Sequence, residues 1–230
     1  MLPFIIGGIA VAAAVSVGTT IYKRFSGDED EIESLGSFAI WGRPDSGKTT
    51  FVYRIQQKAT PKIKEATSSK KVFKDIKPIL IENMKFKVDE ITDLPGTEDR
   101  KNMWVDLVQH KNHVFYLVNL ARLSDKKYLS EVKNDLKVTT EAISALKTNI
   151  KPVHIIGTHI DESDFKNILD ADVNNKLQEN SEIRAIFESI KHLGDELKNS
   201  DGIKGFLYSV NLTDSSSFNA LIENIINDIK

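Results

Sequence analysis

The segment that most constrains this chain is Gly42-Arg43-Pro44-Asp45-Ser46-Gly47-Lys48-Thr49, which fits the pattern G-x-x-x-x-G-K-[ST]. It follows a short apolar run and precedes a stretch whose apolar positions recur with helical spacing. Backbone N–H groups in such a loop, and those at the start of the helix, form a cradle for phosphate anions. We expect Lys48 to contact the β- and γ-phosphates, and the Thr49 hydroxyl to bind Mg²⁺. The predicted phosphate-binding residues are Asp45, Ser46, Gly47, Lys48, Thr49 and Thr50.

Strand-like and helix-like segments alternate along most of the chain. Continuous apolar runs, typical of strands covered on both faces, occupy 37–42, 113–121, 153–158 and 205–210. Helical patterns occupy 48–59, 98–110, 124–148, most of 165–200, and 217–230. Two more strand candidates, 76–82 and 85–93, would form a hairpin that adds one antiparallel edge. The alternation predicts an α/β domain over 36–230, with a mostly parallel six-stranded sheet and helices on both faces.

Asp93-Leu94-Pro95-Gly96 ends one of these strand candidates. An aspartate at this place can hold Mg²⁺ through water, and the Gly96 N–H can bond a γ-phosphate and sense its presence. A structural aspartate in a turn is the competing interpretation. A threonine that closes over the same Mg²⁺ should precede the second strand, and Thr67 is the predicted one. The alternatives are Thr60, Ser68 and Ser69.

Thr158-His159-Ile160-Asp161 follows an apolar strand and predicts a segment that recognises the base. The Asp161 carboxylate would accept two hydrogen bonds from guanine, one from N1–H and one from the exocyclic amine. Thr158 belongs to the same segment, and His159 would stack on the purine. Ser209 and Val210 end the last strand, where a backbone N–H would contact the guanine oxygen. An exposed loop aspartate and an ordinary strand end are the competing interpretations.

The ordered motifs GRPDSGKT, DLPG, THID and YSV resemble those of the Ras-like small GTPases, from about Leu35 to Lys230. They look most like the ADP-ribosylation-factor branch and the signal recognition particle receptor beta subunit. The resemblance implies GTP and GDP as ligands, Mg²⁺ as cofactor, and a protein effector or receptor subunit as partner. THID replaces the usual NKxD and is more like the THxD of Roc-type GTPases. The Gly- and Ala-rich start looks like a bacterial inner-membrane segment, so a bacterial membrane-anchored GTPase is as good a match as the eukaryotic subunit.

The resemblance implies Lys48 and Thr97 as catalytic residues. Members of the family usually place a glutamine after the DxxG glycine, where it orients the attacking water. Thr97 stands there instead, and its hydroxyl is too short to replace the amide. Arg43 and Arg100 can be proposed only loosely as arginine fingers. We therefore expect slow intrinsic hydrolysis that a partner completes.

Two other functions remain open at this point. One is a docking subunit that holds GTP constitutively, which the absent glutamine favours. The other is an ATPase, because phosphate-binding loops serve both nucleotides. Asp161 argues against the ATPase, since its carboxylate would face the lone pair of adenine N1.

The first residues predict a membrane anchor. Residues 1–22 contain no charged side chain, and Lys23 and Arg24 follow at once. As a helix, the 21-residue run 2–22 would be about 31 Å long, close to the roughly 30 Å of a bilayer core. Because the charges follow the apolar run, a single-pass anchor over 1–24 would leave the rest of the chain in the cytosol. The membrane would be the bacterial inner membrane or the endoplasmic reticulum; a buried core helix is the alternative.

Composition limits the remaining possibilities. Residues 25–35 are acidic and predict a linker between the anchor and the domain. The net charge of −2 gives no reason to expect direct nucleic-acid binding. The absence of cysteine excludes a disulfide framework and a thiolate metal site.

Overall fold

The computed structural model describes residues 9–11, 32–59, 69–81, 84–96, 101–146, 151–166, 176–177, 179–186 and 205–230. The strands are β1 (Ile9–Val11), β2 (Ile32–Ser34), β3 (Ser37–Trp41), β4 (Lys71–Phe73), β5 (Ile79–Ile81), β6 (Met84–Lys87), β7 (Glu90–Asp93), β8 (His113–Asn119), β9 (Val153–Thr158) and β10 (Gly205–Ser209). The helices are α1 (Lys48–Ile55), α2 (Lys101–His110), α3 (Lys126–Ser144) and α4 (Ser215–Ile229), and residues 181–186 are also helical.

The main sheet has seven described strands in the order β1-β10-β9-β8-β3-β7-β4. All neighbours are parallel except β4, which runs antiparallel to β7. The predicted α/β class and mostly parallel sheet are therefore confirmed, but six is the wrong number of strands. Two strands that were not predicted, β1 and β4, form the edges, whereas the predicted strand over 76–82 lies outside this sheet as β5.

The predicted hairpin is present, but it does not form the edge of the main sheet. The long strand expected over 85–93 breaks after Lys87, where Val88 is fully buried and the Asp89 N–H donates to Gly36 O at 2.9 Å. Its first half, β6, pairs with β5 and β2 in a separate three-stranded sheet, and its second half, β7, joins the main sheet. The antiparallel edge of the main sheet is instead the short lysine-containing strand β4.

The folded unit begins before the predicted boundary at residue 36. Within the expected linker, 25–35, residues Ile32–Ser34 form β2, which is parallel to β6. Leu35 is buried, and its N–H donates to Lys87 O at 2.8 Å. The last part of the acidic segment is therefore part of the fold, because a backbone ladder and an apolar side chain attach it to β6.

The predicted membrane helix over 1–24 is described only at Ile9–Val11. These three residues are extended and pair in parallel with β10, so they are not helical here. An Ile-Ala-Val run is well suited to an edge strand because β-branched residues favour extended backbone. The rest of 1–24 lies outside the described residues. Within the described part of the chain, none of the helices has both the length and the apolar character that crossing a bilayer requires.

Helices cover both faces of the main sheet, as predicted. Alternate residues of β3 point to opposite sides, so Ala39 and Trp41 pack in one apolar cluster while Phe38 and Ile40 pack in the other. The first cluster lies under α2 and α3, where the rings of Trp41 and Trp104 are 5.1 Å apart. The second lies under α1 and α4 and extends to Phe86 of the small sheet. This sheet is therefore buried on both sides.

Side-chain caps fix where two helices begin. Asp125, rather than Ser124, caps α3 and accepts hydrogen bonds from the N–H groups of Lys127 and Tyr128. Asp214 caps α4 and accepts from Ser217 N, so the helix starts two residues before the predicted position 217. Helix α1 ends at Ile55 rather than at 59. Aspartate is among the preferred N-cap residues. Each carboxylate accepts hydrogen bonds from backbone N–H groups that have no partner within the helix.

A buried histidine lies in the middle of the main sheet. His154 of β9 is fully buried between Phe115 and Phe206, with ring centroids 4.8 Å and 5.3 Å away. Its Nδ1 is 3.0 Å from the Tyr208 hydroxyl, which donates to Asp228 Oδ2 at 2.8 Å. Because the Tyr208 hydroxyl donates its hydrogen to Asp228, it can only accept a hydrogen bond from His154. We therefore assign the Nδ1–H tautomer to His154. The other nitrogen, Nε2, has no hydrogen-bond partner among the described residues. Burial, with a smaller contribution from His113, lowers the pKa of His154 to about 3.

This environment predicts a loss of stability in acid. The unfolded chain binds a proton at His154 near pH 6.5, whereas the folded protein does not until about pH 3. Stability therefore falls as pH drops below 6.5, by about 1.4 kcal/mol for each pH unit in that window. Urea unfolding at pH 7 and pH 5 should show that His154→Phe, which cannot titrate, loses about 2 kcal/mol less than the wild type over this interval. Equal losses in the two proteins would show that His154 does not cause the effect.

Candidate functional site

The glycine-rich loop joins β3 to α1 and has a backbone that only certain residues can adopt. Gly42 has φ 149°, and a Cβ there would lie 2.4 Å from Leu117 O. Gly47 has φ 83° and is the N-cap of α1. Between them, Asp45 has φ 61°, a left-handed conformation that costs roughly 1–2 kcal/mol for a residue with a side chain. Other parts of the fold must hold the loop in this shape.

Two residues at neighbouring strand ends hold two consecutive loop carbonyls. Asn119 ends β8 and Thr158 ends β9, and the two are paired in the parallel ladder. The Asn119 side-chain amide donates to Asp45 O at 3.1 Å, and the Thr158 hydroxyl lies 3.0 Å from Ser46 O. Both side chains are buried. Each such bond contributes about 1 kcal/mol net, enough to offset most of the cost at Asp45.

Arg43 attaches the loop to α3. Its Nη2 donates to Asp135 Oδ1 at 2.7 Å, and its Nε lies 2.7 Å from Asp135 Oδ2. The Tyr116 hydroxyl also donates to Asp135 at 2.7 Å, so the buried carboxylate faces two donors. Burial raises the pKa of Asp135, although Tyr116 and Arg43 act in the opposite direction. Because its guanidinium is held in this network, Arg43 is not directed at the phosphate cradle, and it is not an arginine finger in this arrangement.

Lys48 is folded back into the loop that precedes it. Its Nζ donates to Gly42 O at 2.7 Å and to Arg43 O at 2.9 Å, and the residue is 6% exposed. Burial lowers the pKa of Lys48 to about 8, although Asp93, Asp45 and Asp135 all favour its charged form. A buried lysine whose short hydrogen bonds are to carbonyl oxygens is suited to an anionic ligand, which would favour its charged form.

Asp93 and Gly96 lie directly beside this loop. Asp93 ends β7, is 2% exposed, and is the largest electrostatic influence that raises the pKa of Lys48. Gly96 approaches the loop backbone so closely that a Cβ on it would lie 2.6 Å from Pro44 N and 2.7 Å from Gly42 O. Two motifs of the sequence, the glycine-rich loop and Asp93–Gly96, are thus in contact.

The base-recognition residues lie at the same edge of the sheet. His159 has a left-handed backbone with φ 56° and starts the 3-10 turn Ile160–Glu162. Asp161 is exposed on that turn, and His159 is partly exposed, so both side chains can be reached from solvent. Thr158, by contrast, is fully buried, and its hydroxyl is within 3.2 Å of Ser46 O and Val118 O. Thr158 therefore contacts the loop in this structure, and its contact with the nucleotide stays a prediction.

At the end of β10, one residue does not fit the prediction that a backbone N–H contacts the guanine oxygen. The Val210 N–H donates to Gly157 O at 2.9 Å, so it is already used in the sheet and is not available to a guanine oxygen. The Asn211 N–H donates to Ser217 Oγ at 3.0 Å. Ser209 is partly exposed at the strand end. Leu212 packs near Gly47, where a Cβ would lie 2.8 Å from its Cδ1, so this segment lines the loop through its side chain.

Several predicted residues lie outside the described part of the chain. These are Thr67, Thr97, Thr60, Ser68 and Arg100. Of the alternatives for the threonine that would close over Mg²⁺, Ser69 is described, and it is exposed. Thr49 and Thr50 lie in the first turn of α1, next to the glycine-rich loop, and are partly exposed.

The residues present fit a nucleotide with a magnesium ion. Lys48 and the glycine-rich backbone offer positive charge and N–H groups to phosphates, whereas Asp93 and the Thr49 hydroxyl are oxygen ligands of the kind that Mg²⁺ prefers. Asp161 lies across from them at the end of β9, with an acceptor-only carboxylate for a base. The site therefore combines a phosphate end and a base end at the carboxyl edge of one sheet.

Sequence reasoning did not identify Asn119 or Asp135. Asn119 is the first polar residue after a continuous apolar run, and a polar residue at a strand end near a phosphate-binding loop is a usable signal. Asp135 gives no such signal, because it is one of many charged residues in an amphipathic helix. Only its burial at 0% exposure beside Arg43 distinguishes it.

Comparisons with known proteins support this description of the fold. No family model matches the sequence, and no curated protein matches it. Among solved structures, the Arl6 (BBS3) small GTPase from Trypanosoma brucei, with the bound nucleotide analogue GppNp, is similar with a TM-score of 0.51. The similarity covers 86% of this chain and 97% of that one at 14% sequence identity. The chain therefore shares the fold of a small GTPase.

The contact between Gly96 and the loop yields a prediction. Gly96→Ala would place a Cβ against fixed backbone, and overpacking of this kind costs about 1–3 kcal/mol. Because the strain falls on the phosphate cradle, affinity for a nucleoside triphosphate should drop by about tenfold. Gly157→Ala is a matched control, since its Cβ would meet only the end of the Leu120 side chain. Titration with a fluorescent triphosphate would contradict the prediction if both variants bound as tightly as the wild type.

Proposed function

We propose that this chain is a membrane-anchored GTP-binding protein that switches between GTP and GDP states. In the GTP state it would recruit a cytosolic protein partner, and its intrinsic hydrolysis would be slow. The observation that carries the proposal is the contact between Lys48, its glycine-rich loop and the pair Asp93 and Gly96. These groups would surround the γ-phosphate and Mg²⁺, whose presence or loss is the usual signal of such switches.

The fold similarity adds support from a different direction. The similar solved structure is a small GTPase with the bound nucleotide analogue GppNp. In this chain, the corresponding chemistry would use Lys48 for the phosphates, Thr49 and Asp93 for Mg²⁺, and Asp161 for guanine. Thr67 stays the proposed second threonine, and Thr97 stays the residue that replaces the usual glutamine.

Guanine selection by Asp161 gives a direct test. The carboxylate would accept two hydrogen bonds from guanine, whereas an amide would accept one and donate one. Asp161→Asn should therefore lose GTP affinity by about 100-fold or more, since leaving such polar groups unpaired costs several kcal/mol. It should gain affinity for xanthosine triphosphate, which carries a carbonyl oxygen where guanine has its amine.

The neighbouring acid provides the control for this test. Glu162→Gln removes one negative charge from the same exposed turn and should leave the preference for GTP over ATP unchanged. Both variants are compared with the wild type in the full chain, which keeps β1 and β2 paired in their sheets. If Asp161→Asn bound GTP as well as the wild type did, Asp161 would not read the base, and an ATPase would become the better proposal.

Hydrolysis distinguishes a switch from a constitutive docking subunit. Residue 97 is a threonine and Arg43 is held by Asp135, so neither a glutamine after Gly96 nor Arg43 would help Lys48 to orient water or stabilise the leaving charge. We expect single-turnover GTP hydrolysis slower than about 10⁻² s⁻¹, the rate of GTPases that carry their own arginine. A faster rate would contradict the proposal. No hydrolysis even with membranes and cell extract would favour a docking subunit of the signal recognition particle receptor beta type.

Membrane attachment is the part of the proposal that rests on sequence alone. The uncharged run over 1–22, followed by Lys23 and Arg24, favours a single-pass anchor with the nucleotide-binding domain in the cytosol. In such an anchor Ile9–Val11 would be helical in the bilayer and would not pair with β10 as they do in this structure. An anchor of this kind would confine recruitment of the partner to the membrane surface.

A further inference from the structure

Trp41 ends β3, directly before the glycine-rich loop, and its indole reaches the second motif of the site. Its Nε1 donates a hydrogen bond to Pro95 O at 3.2 Å, and the residue is 1% exposed. Pro95 O and the N–H of Gly96 belong to one peptide group. Trp41 therefore contacts the peptide whose N–H we expect to bond a γ-phosphate.

The planarity of that peptide links the directions of the two atoms. The described residues contain no cis peptide bond, and in a trans peptide the C=O and the N–H point in opposite directions. The Pro95 carbonyl points to Trp41, which packs with Leu94 and Trp104 in the apolar cluster under α2 and α3. The Gly96 N–H must therefore point away from this cluster.

Gly96 lies where such an N–H is able to meet a phosphate. A Cβ on Gly96 would be 2.7 Å from Gly42 O, and Lys48 Nζ lies 2.7 Å from the same oxygen. Gly96 and the lysine that we expect to hold the β- and γ-phosphates thus share one neighbour. A phosphate bound by Lys48 would therefore be next to Gly96.

The proline and the indole together restrict this peptide. The ring of Pro95 fixes its φ angle, so the peptide can turn only through ψ of Pro95 and φ of Gly96. Pro95 is buried, and a buried carbonyl needs a donor. The N–H of Trp41 is such a donor, and turning the peptide would break its hydrogen bond. Trp41 therefore restrains the rotation that the proline leaves open.

We propose that Trp41 is a positioning residue: by holding Pro95 O, it directs the Gly96 N–H toward the γ-phosphate of a bound triphosphate. This role rests on the proposed function, because it takes a guanine nucleotide as the ligand. It adds that the preference of the site for a triphosphate over a diphosphate depends on a side chain that lies in the core.

A second tryptophan separates this role from packing. Trp104 is also fully buried in the same cluster, with its ring 5.1 Å from that of Trp41. Its Nε1 donates to Thr139 Oγ1 at 2.7 Å, on α3 and not at the loop. Trp104→Phe therefore removes the same kind of donor from the same core and leaves the bond to Pro95 in place.

The test compares two nucleotides in the full chain with Mg²⁺. Trp41→Phe keeps an aromatic ring and removes the N–H. Its affinity for GppNp, a non-hydrolysable GTP analogue, should fall about three- to tenfold, the usual contribution of one hydrogen bond. Its affinity for GDP, which has no γ-phosphate, should stay within about twofold of the wild-type value. Both affinities are measured by competition against fluorescent GDP.

The ratio of the two affinities is the readout, because a general loss of packing weakens the binding of both nucleotides alike. Trp104→Phe should leave this ratio at the wild-type value. Urea unfolding of both variants shows that they are folded and compares their losses of stability. An unchanged ratio in Trp41→Phe, a ratio shifted toward GppNp, or an equal shift in Trp104→Phe would overturn the proposal.

An isosteric replacement keeps the test decisive if Trp41→Phe does not fold. The chain has two tryptophans, so Trp41 is the only one in the Trp104→Phe chain. A tryptophan-requiring host supplied with benzothienylalanine then replaces Trp41 alone and puts a sulfur in the place of its indole N–H. We expect the same loss of affinity for GppNp and not for GDP, and an unchanged ratio would overturn the proposal.

The wild-type chain distinguishes this role from the proposed function. If it binds neither GppNp nor GDP, the proposed function is wrong and the role of Trp41 is wrong with it. If it binds both, and Trp41→Phe has the wild-type ratio, the proposed function stands and only the positioning role is wrong.

Discussion

The nucleotide site depends on keeping the glycine-rich loop in a backbone shape that it would not hold by itself. Gly42, Asp45 and Gly47 all have positive φ angles. The strand ends supply the restraint, because Asn119 and Thr158 are ladder neighbours and bind adjacent carbonyls of the loop. A loop that is held before the ligand arrives loses less conformational entropy on binding, so a larger share of the contact energy appears as affinity.

The order of the strands explains why the site lies where it does. Strand β3 has β7 on one side and β8 on the other, so the connections that leave their carboxyl ends diverge to the two faces of the sheet. In open α/β sheets, ligands bind in the crevice that this divergence creates. Here the loop after β3 fills the centre of the crevice, Asp93 and Gly96 follow β7, and His159 and Asp161 follow β9. Residues distant in sequence thus meet at one edge because the strands that precede them are parallel and buried.

The sequence predicted the fold class because that class depends on short, local patterns, and patterns of the same kind marked the residues of the candidate site. The central strands were visible as apolar runs, and the loop, Asp93 and Asp161 were visible as motifs. The edge strands were not, since Lys71–Phe73 has three residues and is mostly exposed, and its strand character comes from pairing with β7. The break in the predicted strand 85–93 was also missed, because it depends on a hydrogen bond to Gly36 far away in sequence. The contact of Thr158 with Ser46 O was not predicted either, because a motif gives the position of a hydroxyl but not its partner.

Arg43 illustrates how the same contacts that organise the site limit its chemistry. A guanidinium next to the phosphates would be the simplest source of transition-state stabilisation, but here it is paired with a buried carboxylate that also accepts from Tyr116. Releasing it would leave Asp135 charged and buried without its main partner, which costs about 3–5 kcal/mol. The arginine therefore fixes the loop to α3 and is not available for catalysis. A loop held in this way is a rigid element of the candidate site.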